Sequence, residues 1–204
     1  GTKALKGIDL RIDDGEFVFL VGPSGSGKST IIKLITGEIA LTQGKLMVNG
    51  YSLNNIAPRQ IPYMRRTLGI IFQDFRLIEK KTVYENLSFA MRAIGTSTRE
   101  LRRRIPYVLE LVGLGKKADS YPTELSGGEL QRFCIARALG PRTRYLLCDE
   151  ITAMLDLITQ AQIWQFLLEE AQRRELGLLV VSHNSTLLER ICSRIVTLPP
   201  LRAP

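Results

Sequence analysis

The sequence FVFLVGPSGSGKST, from Phe17 to Thr30, decides the fold of this chain. Its first five residues, Phe17 to Val21, form a continuous apolar run that is typical of a β-strand buried on both faces. A glycine-rich loop follows at once, and residues 29–36 have the spacing of a helix that starts at the loop. Residues 22–29 fit the phosphate-loop pattern Gly-x-x-x-x-Gly-Lys-Ser, and they lie between a predicted strand and a predicted helix.

This loop is predicted to bind the phosphate groups of a nucleotide. Glycines let the backbone fold so tightly that several N–H groups point at one anion, and the helix N-terminus adds partial positive charge. The Lys28 ammonium is expected to reach the β- and γ-phosphates, and the Ser29 hydroxyl is expected to bind Mg²⁺. The predicted phosphate-binding residues are Gly22, Pro23, Ser24, Gly25, Ser26, Gly27, Lys28, Ser29 and Thr30.

An acidic pair follows the apolar strand predicted at residues 145–148. Carboxylates at the carboxyl end of a parallel strand lie where such sheets bind their ligands. Asp149 is predicted to bind Mg²⁺, directly or through water, and Glu150 to orient or deprotonate the attacking water. Phosphoryl transfer needs mainly positioning and charge stabilisation, so this pair and the loop suffice for nucleotide hydrolysis.

A second anion site is predicted where a helix running towards Leu139 begins. A capping hydroxyl and two glycines lie at its N-terminus, within the motif Leu125, Ser126, Gly127, Gly128 and Glu129. Considered alone, the motif is explained equally well by an ordinary capped helix. Two polar residues also follow predicted strands, Gln73 after 68–72 and His183 after 178–182, and their positions recommend them as contacts to the nucleotide.

Strands and helices alternate around the phosphate loop, which predicts an α/β fold with a mainly parallel sheet. Helical spacing dominates from Phe75 to Ala138, and this segment is interpreted as a helical insertion. The predicted strands are 6–12, 17–21, 45–48, 68–72, 145–148 and 178–182, and the predicted helices are 29–36, 83–94, 98–111, 124–139 and 160–174.

The length, composition, net charge and cysteine count of the chain restrict the class of protein. With 204 residues, 45% of them hydrophobic, the chain has the size of one α/β domain with a substantial core. No run approaches the roughly 20 apolar residues that cross a bilayer, so any membrane role must act through a partner. The net charge of +8 is interpreted as a solvated surface, and no nucleic acid is expected. Three cysteines and one histidine without metal-ligand spacing argue against a disulfide framework and a zinc site.

Taken in order, these motifs resemble those of the nucleotide-binding domain of an ABC ATPase over nearly the whole chain. The matches are Walker A at 22–30, the Q-loop glutamine at Gln73, the signature motif at 125–129, Walker B at 145–150, the D-loop at Leu155-Asp156 and the switch histidine at His183. The resemblance implies one domain over 1–204, a P-loop NTPase with a small antiparallel β part. Its α/β core would comprise 1–73 and 141–204, and its helical subdomain 74–140.

The resemblance further implies an ATPase that binds ATP and Mg²⁺ and works as a head-to-tail homodimer. Each ATP would lie between Walker A of one copy and the signature motif of the other, so residues 125–129 would act in trans. Catalytic roles are implied for Lys28, Gln73, Glu150 and His183, and Mg²⁺ binding for Ser29, Gln73 and Asp149, with Asp156 in the D-loop.

An integral membrane partner at the cytoplasmic face of the bacterial plasma membrane is also implied, contacted through the helical subdomain and the Q-loop. Phe75, Leu77 and Ile78 are candidates for that contact, and core packing explains them equally well. Three runs, 61–66, 71–77 and 81–86, resemble the cell-division branch of the family, whose ATPase controls peptidoglycan hydrolases through its membrane partner. The branches for lipoprotein release and efflux are the alternatives.

Four features depart from the family pattern. Ile151 stands where proline usually follows the catalytic glutamate, and Leu130 replaces the glutamine that commonly follows the signature. The adenine-stacking aromatic residue is expected before Gly1, and residues 198–204 do not have the usual closing strand.

Two other classes of protein are alternatives to this interpretation. A DNA-organising ATPase shares the signature but places a very long coiled coil between its phosphate motifs, where this chain has a short helical insertion. A regulator without hydrolysis is disfavoured because Lys28, Asp149, Glu150 and His183 are all present.

Overall fold

The computed structural model describes residues 5, 7–72, 74–152, 155–182 and 191–200. The strands are β1 (Phe17–Val21), β2 (Met47–Val48), β3 (Tyr51–Ser52), β4 (Leu68–Ile71), β5 (Tyr145–Asp149), β6 (Gly177–Val181) and β7 (Arg194–Thr197). The α-helices are α1 (Lys28–Ile35), α2 (Ile61–Arg65), α3 (Val83–Ala93), α4 (Thr98–Leu111), α5 (Gly127–Ala138) and α6 (Leu157–Arg174). Among the described residues, none of the helices combines the length and the apolar character that crossing a bilayer requires.

Five parallel strands form the central sheet in the order β4-β5-β6-β1-β7. Strand β1 has a partner on each side, so Phe19 lies opposite Val180 of β6 on one side and Ile195 of the edge strand β7 on the other. A separate antiparallel sheet joins β2 and β3. The predicted α/β fold, with a mainly parallel core, a small antiparallel part and helices, is confirmed. Because the strands are parallel, the segments that follow β1, β4 and β5 meet at one edge of the sheet.

Apolar side chains cover both faces of this sheet. Successive residues of a strand point to opposite faces, so Phe19 packs with Trp164 and Leu167 of α6, while Leu20 packs with Ile31 and Ile32 of α1. A third cluster fills the space between α3, α4 and α5, and includes Val83, Leu87, Leu101, Ile105 and Phe133. Helix α5 contributes to the first and the third clusters, and so it joins the helical part to the sheet.

A glycine in β4 allows α5 to approach the sheet closely. A Cβ atom at Gly69 would meet the Ala138 carbonyl oxygen at the end of α5, and would lie 2.5 Å from Leu146 Cδ2 and 3.0 Å from Thr143 Cγ2. The backbone of β4 and the end of α5 are therefore in direct contact, and any larger residue at this position must push them apart.

The strand predicted at residues 6–12 is wrong for its described part, residues 7–12, which are not a strand. The alternation itself is real, because Ile8, Leu10 and Ile12 are half-buried against the cluster on the α1 side of the sheet. A burial pattern records which side chains face the core, but a strand also needs a backbone hydrogen-bonding partner, which sequence periodicity does not report.

Three elements were not predicted from the sequence: β3, α2 and β7. Strand β3 has only two residues. Strand β7 pairs with β1 at the edge of the sheet, directly before the segment where no closing strand was expected. Its four residues contain a single apolar pair, Ile195 and Val196, which is too short a run to predict a strand. Helix α2 has only five residues, which is too short for helical periodicity to be recognised.

Candidate active site

The loop after β1 has an open helix N-terminus. Gly25 and Gly27 have φ values of +77° and +98°, a region in which glycine is favoured because it has no Cβ. Gly27 precedes α1 and provides no capping side chain, so the first N–H groups of the helix are available to a ligand. The Ser26 hydroxyl is buried and has no hydrogen-bond partner within the described part of the chain. Such an orphaned polar atom fits a loop that is completed by a bound anion.

The Lys28 ammonium is folded onto this loop. Its Nζ donates to the carbonyl oxygens of Gly22 at 2.7 Å and Pro23 at 3.0 Å, and the residue is only 7% exposed. A buried ammonium needs hydrogen-bond acceptors, and here the loop's own carbonyls supply them. Phosphate oxygens can replace these carbonyls without moving the lysine out of the loop.

Asp149 ends β5 at the same edge of the sheet, in register with Val181 of β6. Burial raises the pKa of its carboxyl group, whereas the positive charges of Arg76 and Lys28 lower the pKa and the negative charge of Asp74 raises it. These interactions place Asp149 within electrostatic reach of Lys28. The structure therefore brings the predicted lysine and the predicted metal-binding carboxylate together.

Glu150 follows with a left-handed backbone, at φ +54°, which is uncommon for a residue with a side chain. Its N–H donates to the Val181 carbonyl oxygen at 2.9 Å, so the residue is tied to the end of β6. Strained residues of this kind are concentrated at functional sites, where the surrounding structure holds them in place.

The oxygen donors at this edge fit Mg²⁺. The Ser29 hydroxyl and the Asp149 carboxylate are hard oxygen ligands, and Mg²⁺ commonly combines one or two carboxylates with phosphate oxygens and water. No group of three or more His, Cys, Asp or Glu side chains that could bind a metal occurs among residues whose positions are described.

The signature motif forms a reciprocal cap at the start of α5. The Ser126 Oγ accepts from the Glu129 N–H at 3.3 Å, and Glu129 Oε2 accepts from the Ser126 N–H at 2.8 Å and from Ser126 Oγ at 2.9 Å. These hydrogen bonds from Ser126 lower the pKa of Glu129. The motif is thus a well-formed helix cap, and the two glycines of its first turn, Gly127 and Gly128, leave the helix end uncovered by side chains.

The start of α6 lies beside this cap. Asp156 caps α6 by accepting from the N–H groups of Ile158 at 3.1 Å and Thr159 at 3.0 Å. A Cβ atom at Gly128 would lie 3.0 Å from Thr159 Cγ2, so the first turns of the two helices are in contact. The predicted D-loop aspartate and the predicted signature motif therefore form one surface.

Gln73 and His183 lie outside the described residues, so their positions stay predictions. The three candidates for a membrane contact are described and differ in burial. Phe75 and Leu77 are half-buried against the cluster that contains Phe19, which makes them core residues, whereas Ile78 is 37% exposed. Of the three, Ile78 retains a surface for a partner.

Sequence reasoning missed Arg76 as a charge near Asp149. Its guanidinium lies 3.7 Å from the centre of the Phe72 ring and 3.1 Å from Asp74 Oδ1, and its charge acts on Asp149. In the sequence, Arg76 stands out only as part of the run 71–77, which resembles one branch of the family. Nothing in its spacing indicates that the chain turns back towards the end of β5.

Comparison with known proteins identifies one family. The family model described as ABC transporter matches residues 5–153. The cell division ATP-binding protein FtsE of Streptococcus pneumoniae is 42% identical over 198 residues, which cover 97% of this chain and 86% of that protein. FtsE of Mycobacterium tuberculosis is 45% identical over 195 residues, covering 96% of this chain and 84% of that protein.

A methionine import ATPase is also similar. MetN 2 of Pectobacterium atrosepticum is 39% identical over 195 residues, but these cover 96% of this chain and only 58% of that protein. Among solved structures, the dimer of the bacterial ABC transporter cassette MJ0796 has a TM-score of 0.86 and 33% identity, covering 97% of this chain and 87% of that one. A post-hydrolysis dimer of MJ0796, bound to ADP and Pi, has a TM-score of 0.83 and 35% identity, with the same coverage.

Proposed function

Because the chain belongs to the ABC transporter family of ATPases, we propose that it is the ATP-hydrolysing subunit of an FtsE-type complex that acts in cell division. The observation that carries the proposal is the 40 to 45% identity to FtsE proteins over nearly the full chain. The runs 61–66, 71–77 and 81–86 support the same branch. ATP binding would drive dimerisation. The membrane partner would transmit this change and so control the enzymes that hydrolyse the cell wall.

In this proposal residues 22–30 bind the ATP phosphates. The α1 N-terminus and the Lys28 ammonium supply positive charge where the phosphates are negative, and Lys28 exchanges the Gly22 and Pro23 carbonyls for phosphate oxygens. Ser29, Gln73 and Asp149 would hold Mg²⁺, which neutralises charge on the phosphate oxygens when it is bound. The buried Ser26 hydroxyl supports this role, because it has no hydrogen-bond partner within the described residues and a phosphate oxygen could accept its hydrogen bond.

Hydrolysis would use Glu150 to orient or deprotonate the attacking water, with Gln73, Lys28 and His183 as further catalytic residues. The left-handed backbone of Glu150, next to Asp149 at the end of β5, supports this assignment. The signature residues 125–129 would act on the ATP of the partner copy, and Asp156 would lie in the same interface. The common surface of the α5 and α6 N-termini supports that arrangement.

The proposed partner is an FtsX-like integral membrane protein at the cytoplasmic face of the bacterial plasma membrane. It would dock on the helical subdomain, proposed at 74–140, and on the segment around Gln73. Ile78 is a suitable contact because it is partly exposed and its backbone is fixed: Asn86 accepts from its N–H at 2.9 Å and donates to its carbonyl at 3.1 Å.

A solute-import ATPase is the second candidate, because the identity to MetN 2 is 39%. Co-purification from a membrane extract separates the two candidates. The proposal expects the full chain to retain a four-span membrane protein with a large extracytoplasmic domain, and expects its ATPase activity to change with that partner. Retention of the membrane subunit of a methionine importer instead, with stimulation by a methionine-binding protein, would establish the second candidate.

A further inference from the structure

The chain makes a strained turn directly after Gln73. Arg76 N–H donates to the Asp74 carbonyl oxygen at 2.5 Å, which closes a three-residue turn. Phe75 and Arg76 have φ values of +54° and +48°, so two consecutive residues with side chains are left-handed. Each conformation is disfavoured by contact between Cβ and the backbone, and such a pair persists only where neighbouring groups hold it.

One arginine of α5 holds this turn. Arg137 Nη1 donates to the Arg76 carbonyl oxygen at 2.6 Å, and Arg137 Nη2 donates to the Phe75 carbonyl oxygen at 2.7 Å. The planar guanidinium presents two donors in a rigid fork, and here the fork spans two successive carbonyls of the left-handed residues. Cys134, one turn earlier on α5, lies 3.5 Å from the same Phe75 oxygen and is fully buried beneath the turn.

The turn also sets the position of the Arg76 guanidinium. This group stacks on the ring of Phe72 and acts electrostatically on Asp149. Arg76 thus links the end of β4, the turn at 74–76 and the end of β5. If the carbonyls of Phe75 and Arg76 were released, the backbone could return to ordinary φ values and Arg76 would leave this position.

We propose that Arg137 is a positioning residue for ATP hydrolysis, which holds the turn at 74–76 and thereby keeps the Arg76 guanidinium near Asp149 at the end of β5. This inference rests on the proposed function, in which Asp149 and the residues around it serve ATP hydrolysis. Helix α5 carries the signature motif at its N-terminus and Arg137 in its last turn, about 15 Å further along. Helix α5 would therefore contact the partner's nucleotide with its N-terminus and hold the turn at 74–76 with its last turn.

The test compares the full chain with Arg137→Ala and Arg137→Lys. Steady-state ATP hydrolysis separates kcat from KM, and a fluorescent ATP analogue measures binding. Arg174→Ala is the matched control, because Arg174 Nη2 also donates to a backbone carbonyl, that of Gly140 at 2.6 Å, but acts outside the proposed site. A local readout is the alkylation of Cys134 relative to the buried Cys148, measured by peptide mass spectrometry in the absence of nucleotide.

We expect Arg137→Ala to lower kcat about tenfold or more, since small displacements of catalytic groups reduce rates strongly. KM and analogue affinity should stay within about twofold, because the phosphate loop is untouched. The alkylation of Cys134 relative to Cys148 should rise about tenfold through local opening of the turn. Arg137→Lys should give an intermediate kcat, because one ammonium replaces the two-donor fork. Arg174→Ala should behave like the unsubstituted chain.

Three results of the kinetic and binding measurements would overturn the inference, and a fourth comes from the labelling of Cys134. The first is an unchanged kcat in Arg137→Ala, or in Arg137→Lys if the alanine variant does not fold. The second is a parallel loss of kcat and nucleotide binding, which would mean that Arg137 only maintains the fold. The third is an equal loss of kcat in Arg174→Ala. If the unsubstituted chain hydrolysed no ATP, the proposed function would fail, and unchanged Cys134 alkylation in Arg137→Ala would separately show that Arg137 does not hold the turn.

Discussion

At the scale of single residues, the end of β5 combines two acidic groups held by different means. Asp149 is half-buried and lies within the influence of Lys28 and Arg76, whereas Glu150 is turned out of the strand by a left-handed backbone. Asp149 is thus a half-buried carboxylate at the carboxyl end of a parallel strand, which is a position that suits a metal ligand. The other occupies a strained position next to it, which suits a residue that acts on water.

Glu150→Gln should keep ATP binding and suppress hydrolysis. The amide retains the shape of the side chain but cannot take up a proton, and loss of a general base commonly lowers the rate by about 10² to 10⁴. Phosphate release under saturating ATP measures the effect, with nucleotide binding measured in parallel. Hydrolysis at the ordinary rate in this variant would remove Glu150 from its assigned role.

The two most buried thiols are predicted to be unreactive. Burial raises the pKa of Cys148 to about 12 and the pKa of Cys134 to about 11, so at pH 8 both are protonated. Because the thiolate is the nucleophile, alkylation of either cysteine in the folded protein should require local opening. Iodoacetamide labelling at pH 8, with and without denaturant, tests this, and rapid labelling of Cys148 under native conditions would be inconsistent with its position in the core.

At the scale of secondary-structure elements, helix α5 is held at both ends. Its N-terminus is closed by the reciprocal hydrogen bonds of Ser126 and Glu129, and its carboxyl end rests on Gly69 of β4. In between, it packs on β4, α3, α4 and α6. The helix that carries the signature motif is therefore packed on the sheet and on three other helices, while its N-terminus remains at the surface.

Gly69→Ala should destabilise the fold by about 1 to 3 kcal/mol, because overpacking a closed contact forces the backbone of β4 away from α5. Chemical denaturation followed by the fluorescence of Trp164 measures the change, since that side chain is buried in the cluster under α5 and α6. Gly115→Ala is a suitable control: the added Cβ would meet only the carboxylate of Glu110, an exposed side chain that can rotate away. Equal stability of the two variants would contradict the close contact at Gly69.

The cap of α5 should weaken in acid. Hydrogen bonds from Ser126 lower the pKa of Glu129 in the folded state, so its contribution to stability is present above the unfolded pKa, about 4.3, and is lost as pH falls through the folded value. Glu129→Gln keeps an oxygen that can accept the hydrogen bonds from Ser126, but its side chain does not titrate. The Tm of this variant relative to that of the unsubstituted chain should therefore rise as the pH falls from 5 to 3. The effect should stay below about 1 kcal/mol, because solvent screens a partly exposed carboxylate. A constant difference in Tm would exclude this linkage.

At the scale of the whole molecule, the two candidate phosphate sites lie on different elements. The phosphate loop follows β1, a strand with neighbours on both sides in the sheet, while the signature motif begins α5, on the helical side. MJ0796, at 33% identity and a TM-score of 0.86, was solved as a dimer. A complete site made from the loop of one copy and the signature of another follows from the proposed function.

Ser126→Arg should abolish turnover while leaving nucleotide binding by the monomer intact. The long charged side chain would occupy the uncovered helix end beside Gly127 and Gly128, where the partner's ATP is proposed to bind. Equilibrium binding of an ATP analogue, ATP hydrolysis, and molar mass with ATP in the Glu150→Gln background together measure the effect. Loss of analogue binding by the monomer would contradict the assignment of the signature motif to the partner's nucleotide.

Much of the fold was predictable because the signals are local. The bounds of β1 and α4 were predicted as the structure has them, from a continuous apolar run and from helical spacing around Leu101 and Ile105. The strand predicted at 6–12 failed because alternation reports burial and not pairing. Strand β7 was missed because its four residues are too few to form a recognisable pattern and because its pairing with β1 joins distant parts of the chain.

The candidate site also contains some residues that the sequence predicts and others that it does not. Walker A, Walker B and the signature are recognisable because backbone geometry at a helix or strand end restricts the residues that fit there, and that restriction is local in sequence. Arg76 and Arg137 carry no such restriction, since a guanidinium can donate to any carbonyl within its reach.

By itself, therefore, the amino-acid sequence determined the α/β fold and the ABC ATPase family, and it predicted the residues of the phosphate loop. Only the tertiary structure decided that Arg137 meets the carbonyls of Phe75 and Arg76, 62 and 61 positions away, and that Arg76 reaches Asp149. Periodicity and turn chemistry act over a few residues, whereas a contact between α5 and the segment after β4 exists only once the sheet and the helices have packed together.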